Sequence, residues 1–327
     1  MTFDFYILHY LMTIHKSVLL KETVDALNLK NGSVVVDATL GGGGHSREIL
    51  KRILPDGKLI SFDQDNRAIE NFRKMIGSDK RLKGQEERII LINENFEKIK
   101  ESLAGLGISK VDGITADLGI SSDQLEDREI GLSFQFDAPL DMRLDRKREL
   151  TAEKIVNDYS EGDLIKVLKE FGDEKYAKRI AGRICEERKE NAIKTTKELV
   201  SIIEKSVPVV YRHGKVNCAT KTFQALRIEV NGELDVLKRI ISDGVELLAS
   251  GGRLAIITFH SGEDRIVKNL FREYARGCVC PPEFPVCRCG KEEIVRIITK
   301  KPIEPDMDEV GSNPRSRSAK LRVLEKI

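Results

Sequence analysis

Residues 34–45 constrain this chain more than any other segment: three valines, Asp37, Ala-Thr-Leu, four consecutive glycines and His45. β-branched residues fit a buried, pleated strand, and an acid closes this one. The glycines Gly41 to Gly44 then make a turn in which no side chain obstructs a ligand. Ser46 and the run 47–53 follow with helical spacing, so the same turn opens a helix. Strand, glycine turn and helix together form the nucleotide cradle of a doubly wound α/β sheet.

The spacing of the glycines bears on which nucleotide. A dinucleotide fingerprint needs G-x-G-x-x-G; Gly41 and Gly43 fit it, but Ser46 stands where the third glycine belongs. The pattern Asp37-x-Thr39-x-Gly41-x-Gly43 fits better and resembles D-x-G-x-G-x-G, the first motif of S-adenosylmethionine (AdoMet) methyltransferases, with Thr39 replacing one glycine. A second strand over 58–62 ends in Asp63, about 20 residues beyond the turn, where an acid takes a ribose hydroxyl. That acid serves NAD and AdoMet equally.

At 327 residues the chain is long enough for one large core or two domains. Its net charge of +2 does not announce nucleic-acid binding, so local clusters of base matter more. No apolar run reaches the length of a membrane span. Residues 1–11 are apolar but carry neither a basic n-region nor a small-residue cleavage site, so no signal peptide is read and a cytoplasmic location is expected. Met1 and Met12 both stand as candidate starts, because the organised sequence begins near His15. Of six cysteines, four crowd together as Cys278, Cys280, Cys287 and Cys289. Two C-x-C pairs across a proline-stiffened loop offer four thiolates to zinc, yet zinc knuckles are usually C-x-x-C. Zinc and free thiols both stay open, and no metal is assigned to the functional site. Cys185 and Cys218 read as small apolar residues.

Strand and helix patterns alternate through the first third: helix 15–27, strand 33–37, helix 46–54, strand 58–63, helix 66–76, strand 88–93, helix 96–106 and strand 111–118. Such alternation predicts a parallel sheet with helices on both faces. It resumes with helices 220–228 and 234–248, strand 253–259 after Gly251 and Gly252, and a last strand 320–324. Between lies an extended loop, 121–147, followed by helices 152–159, 161–171, 173–187 and 196–207. Ser160 with Asp163 and Thr195 with Glu198 are capping-box starts, and Pro208 stops the last helix. The expected division is therefore a discontinuous nucleotide-binding domain, 1–122 with 215–327, and a loop plus all-helical insert, 123–214.

Chemistry-bearing residues gather at predicted strand ends. Asp117, Ser121, Ser122 and Gln124 follow the fourth strand, beyond whose carboxyl end ligands bind in open α/β sheets. Many enzymes that methylate exocyclic amines carry Asp/Asn-Pro-Pro-Tyr/Phe there; this chain does not. His260, Ser261, Glu263, Asp264 and Arg265 crowd the end of strand 253–259. The G-x-S-x-G elbow of a serine hydrolase is absent, which excludes that class. Phe134 and Phe136 with Asp137, Asp141 and Arg143 suit either stacking of an extruded base or anchoring of a loop in the core. Arg315 and Arg317 alternate with serines, a pattern suited to phosphate contacts.

Together, HKSVLLKE (15–22), DATLGGGGHS (37–46), ADLGISSDQL (116–125), SFQFDAPLDMRLD (133–145), ATKTFQALRIEVNGEL (219–234), FHSGEDR (259–265) and NPRSRSAKLRV (313–323) closely resemble the signature stretches of the RsmH (MraW) family. The resemblance runs from His15 to the end; Gly262 stands where the family usually has Leu, and the cysteine loop resembles that of some members only. It implies a Rossmann-like class I AdoMet-dependent methyltransferase sheet with an inserted all-helical domain. It also implies methylation of the exocyclic N4 of a cytidine in 16S rRNA, near the decoding centre of the small ribosomal subunit. Carried over by motif, Gly43, Gly44 and His45 would hold the methionine end of AdoMet and Asp63 its ribose. Phe96 and Asp117 would hold the adenine region, and Gln124 would close the site. The residue that accepts the amino hydrogens is open among Asp117 (or a carbonyl in 118–122), Asp137, Asp141 and His260. The helical insert and the Arg315 loop would grip RNA. Oligomeric state is open between monomer and homodimer, and so is whether naked rRNA or an assembled subunit is the substrate. A Rossmann oxidoreductase and a non-catalytic RNA-binding scaffold are the rival readings.

Overall fold

The structure, a computed structural model, describes residues 17–327 except 81, 83, 122, 123, 126, 215, 279, 282, 285 and 287. Met1, Met12, His15, Lys16, Ser122 and Cys287, all named above, lie outside the described residues. The chain divides into two compact units, Met1–Gly119 with Leu234–Ile327, and Ile120–Glu233.

The first unit is built on a seven-stranded sheet of β1 (Val34–Asp37), β2 (Lys58–Phe62), β3 (Ile89–Ile92), β4 (Val111–Asp117), β5 (Leu248–Thr258), β6 (Val295–Ile297) and β7 (Lys320–Lys326). Their order is β3-β2-β1-β4-β5-β7-β6. Neighbours from β3 to β5 pair in parallel, whereas β7 runs antiparallel to both β5 and β6. This is the class I methyltransferase sheet expected above.

The period-two alternation of a strand explains why both faces are covered. Val35, Leu59 and Ile257 join one buried cluster, with Ile49 and Ile53 of the helix Gly44–Ile53 and Phe72 of the helix Asn66–Ser78. Val36, Ile60 and Ile256 join the other, with Ile240 and Ile241 of the helix Glu233–Leu247. Each such side chain taken fully out of water contributes about 1.5–3 kcal/mol. Strands buried on both faces read as continuous apolar runs, which is why the first third is legible from sequence.

The last three strands depart from expectation. β5 begins at Leu248, not at 253; Val111 pairs with Leu248 and Gly113 with Arg253, so the glycine pair forms a bulge inside the strand. β6 has three residues, too few for a periodic signal. β7 extends to Lys326.

The second unit holds the helices Ala152–Asp158, Glu161–Glu170, Ala177–Glu187, Thr196–Ser206, Val209–Arg212 and Thr220–Asn231. Ser160 accepts from the amide of Asp163, and Thr195 with Glu198 completes a capping box. The helix expected over 173–187 starts only at Ala177, because Asp173 is left-handed (φ +48°). The helix Thr220–Asn231, expected with the sheet, belongs here: Phe223, Leu226 and Val230 share a core with Leu164, Ile180 and Leu199. Its apolar face decides its partner. Residues 127–147 are a loop without regular helix or strand, as expected, but pinned by buried Ile130, Leu132, Leu140 and Met142. Among the described residues, no helix is long and apolar enough to cross a membrane.

Candidate active site

The strand order fixes where a ligand belongs. From β1 the chain builds outward to β2 and β3; from β4 it builds the other way, to β5. The crevice beyond the carboxyl ends of β1 and β4 is the switch point of the sheet. Both of these strands end in an aspartate.

Asp37 closes β1 and is 1% exposed. Its Oδ1 accepts from the amide of Thr39 at 3.1 Å, and its Oδ2 accepts from Ser46 Oγ at 2.7 Å. Ser46 Oγ also lies 2.8 Å from Ser61 Oγ. Burial pushes the Asp37 carboxyl up to about 6, against the downward pull of the hydrogen bonds from Ser46 and Thr39. Both oxygens are engaged in shaping the turn, so Asp37 acts as its buckle.

The turn itself needs glycine. Gly43 caps the helix Gly44–Ile53 in a left-handed conformation (φ +74°), and a Cβ there would lie 2.2 Å from the Phe72 ring. Gly41 is also left-handed (φ +49°), yet a Cβ on it would have Thr39 O as its nearest neighbour, 4.0 Å away. The turn is therefore packed against protein at Gly43 and open at Gly41. Gly44 opens the helix, whose first amides and positive dipole end suit an anionic group. His45 is buried; its Nε2 lies 3.2 Å from Val18 O and its Nδ1 3.8 Å from Asp117 Oδ2.

Asp63 follows β2. Its Oδ2 accepts from the amide of Gly41 at 2.8 Å, and its Oδ1 from that of Asp65 at 2.8 Å. A carboxylate oxygen has two lone pairs, so each keeps one for a vicinal diol. Burial raises this carboxyl to about 6, opposed by those amide bonds and aided by Asp65 and Asp37. Asn93 Nδ2 donates to the carbonyl of Asp63 at 2.9 Å, which ties the ends of β2 and β3 together. Phe96 starts a short helical turn capped by Asn95 and is partly buried against the sheet.

Asp117 ends β4. Its amide donates to Thr39 Oγ1 at 2.6 Å. Thr39, the residue replacing a motif glycine, thus ties the β1 turn to the end of β4. Asp117 Oδ1 is sealed from solvent and has no hydrogen-bond partner among the described residues. Burial, then the carboxylates of Asp37, Glu263 and Glu309, push its carboxyl well above the usual range. Several acids repelling one another around a partnerless oxygen make a site that a cationic ligand relieves. With the open face of Gly41, the helix terminus and the diol-ready Asp63, this donor set fits AdoMet, whose sulfonium is cationic. Asp63, Asp117 and Gly41–His45 would hold it.

The remaining candidates fall elsewhere. Gln124 and Ser121 belong to the helical unit, where Gln124 Oε1 accepts from the Ser121 amide at 3.0 Å and Ser121 Oγ from the Gln124 amide at 3.2 Å. Asp141, also in that unit, is gripped by Arg143 through Nε at 2.6 Å and Nη2 at 2.9 Å. Burial would raise its carboxyl, but Arg143 outweighs that and holds it below the usual range. Asp137 Oδ1 accepts from the Lys197 amide at 3.3 Å. Phe134 packs edge-on against Phe223, with centroids 5.2 Å apart, and Arg128 lies 4.2 Å over the Phe136 ring. Arg315 and Arg317 are exposed on a short 3-10 turn, Pro314–Ser318.

His260 caps the helix Ser261–Tyr274: its Nδ1 accepts from the Glu263 amide while Glu263 accepts from the amides of Phe259 and His260. Its Nε2 lies 3.3 Å from Glu263 Oε1 but off line for a hydrogen bond. Glu263 is 3% exposed and acts on Asp117 through charge, a role that the sequence did not reveal. His260 followed three residues later by Glu is a capping-box spacing, and histidine in the cap position hides it. Arg322 clasps Asp264 in a bidentate pair, at 2.6 and 3.1 Å.

Comparison with known proteins gives the family. Residues 12–327 match the model of the MraW methylase family. A Ribosomal RNA small subunit methyltransferase H of Clostridium botulinum (strain Kyoto / Type A2) is 53% identical over 313 residues, covering 96% of this chain and 99% of that protein. The protein of the same name from Clostridioides difficile (strain 630) is 50% identical over equal shares. Among solved structures, an rRNA methylase from Streptococcus thermophilus overlaps 97% of this chain and 99% of its own at 12% identity, with a TM-score of 0.43. The chain belongs to the MraW methylase family.

Proposed function

We propose that this chain transfers a methyl group from AdoMet to the exocyclic N4 of a cytidine in small-subunit ribosomal RNA, near the decoding centre. The relatives of about half-identical sequence are named small-subunit rRNA methyltransferases, which supports the substrate class. The observation that carries the chemistry is Asp117, an acid at the switch point with one oxygen sealed and unpartnered.

Bound AdoMet supplies an electrophilic methyl group on a sulfonium. The cytosine amine is a poor nucleophile because its lone pair is delocalised into the ring. Holding that nitrogen close to the methyl carbon and accepting its hydrogens lets the lone pair localise as the bond forms. Asp117 is the acceptor of choice, since Asp141 is committed to Arg143 and His260 to its helix cap. The amine nitrogen gives its lone pair to the methyl carbon, the carbon–sulfur bonding pair stays on sulfur, and one amino proton leaves by way of Asp117. The target base must leave its stack, and the helical unit and, separately, the Arg315–Arg317 turn would grip the RNA backbone.

The test is transfer from radiolabelled AdoMet to small ribosomal subunits lacking the modification, with the labelled nucleoside identified by mass spectrometry. Label in N4-methylcytidine is expected. Label in another nucleoside, or in none while AdoMet binds, would overturn the assignment.

A further inference from the structure

The cysteine loop between the helix Ser261–Tyr274 and β6 has no part in the site above. We propose that Cys278, Cys280 and Cys289 form a structural zinc site. Their sulfur atoms all lie within 4.8 Å of one another, so both C-x-C pairs send thiols to one point. The Sγ atoms of Cys278 and Cys289 are 3.8 Å apart. A tetrahedral zinc ion with Zn–S bonds of about 2.3 Å holds its sulfurs about 3.8 Å from each other. A disulfide needs about 2.05 Å, far shorter than this separation. An iron–sulfur cluster, larger than a single ion, would hold its thiolates further apart than this.

The backbone prepares the sulfurs for a cation. The amide of Cys280 donates to Cys278 Sγ at 3.4 Å, and the amide of Arg288 donates to Cys280 Sγ at 3.3 Å. Such N–H···S bonds hold the sulfurs in place, as the outer contacts of metal-ligating thiolates do. Soft thiolates select zinc over the hard divalent ions. Among the loop's described residues, Phe284 and Val286 are 46% and 70% exposed rather than gathered into a core. A metal replaces a core in small segments of this kind. Cys287, the fourth thiol of the loop, lies outside the described residues, and the proposal rests on the other three.

The test uses the full chain, dialysed against a weak chelator and analysed for metals by mass spectrometry. About one zinc per chain is expected in the wild type and in Cys185→Ser. Less than about a tenth of that should remain in Cys278→Ser and Cys289→Ser. Cobalt exchanged into the wild-type protein should give the thiolate-to-metal charge-transfer band of a sulfur-ligated tetrahedral site, a readout independent of how the variants fold. A wild-type chain without zinc, one holding iron instead, zinc retained by both serine variants, or a cobalt form lacking the thiolate band would each overturn the proposal.

Discussion

Asp63→Asn is nearly isosteric, yet the structure makes it a severe change. Both carboxylate oxygens accept backbone amides, from Gly41 and from Asp65. Asparagine offers one oxygen, so its amino group must face one of those N–H donors, and the diol loses one acceptor. A hydrogen bond to a charged group is worth about 1.5–3 kcal/mol, so AdoMet should bind roughly 10 to 150-fold more weakly at pH 8. The pH dependence sharpens the test. Burial lifts the Asp63 carboxyl to about 6, so it is ionised at pH 8 and only about a tenth ionised at pH 5. A protonated carboxyl resembles the amide, so wild-type affinity should fall toward that of the variant as pH drops through 6. Isothermal titration with AdoMet at pH 8, 6 and 5 reads both affinities. The ratio of wild-type to variant affinity should shrink about tenfold from pH 8 to pH 5. A variant within twofold of wild type at pH 8, or a ratio independent of pH, would refute the reasoning.

The two left-handed glycines of the turn should respond differently to alanine. Gly43→Ala meets the Phe72 ring and should lower folding stability by about 2–4 kcal/mol in urea unfolding; Gly41→Ala meets nothing closer than Thr39 O at 4.0 Å and should cost about 1 kcal/mol of stability while weakening AdoMet binding more than tenfold. Thr39→Val removes the hydroxyl that accepts the Asp117 amide and should cost about 1–3 kcal/mol, with loss of methyl transfer exceeding loss of AdoMet affinity; unchanged stability would show that the tie between β1 and β4 carries nothing.

Much of this was legible in sequence because two kinds of signal are local. Buried parallel strands are continuous apolar runs, so Val34 to Asp37 and Lys58 to Phe62 announce themselves. A glycine turn between strand and helix identifies its own chemistry, and Asp63 follows at the spacing of a ribose acceptor. What escaped depends on partners distant in the chain. The glycines at 251 and 252 fall outside the expected strand because a bulge exists only through the register with β4. The allegiance of the helix Thr220–Asn231 is set by which core its apolar face meets, not by its own periodicity. Thr39 reads as a substitution in a motif until β4 brings the Asp117 amide to its hydroxyl. Glu263 reads as one of several polar residues after a strand until its burial and its effect on Asp117 are seen.

The most direct test of the site is a crystal structure of the chain with S-adenosylhomocysteine, the demethylated product. The ribose hydroxyls should sit on Asp63, the amino-acid end on the amides of Gly44 and His45, and Asp117 Oδ1 should gain a partner in the ligand or in an added cytidine. A ligand bound elsewhere, or one that fills the crevice and leaves Asp117 Oδ1 without a partner, would contradict the account.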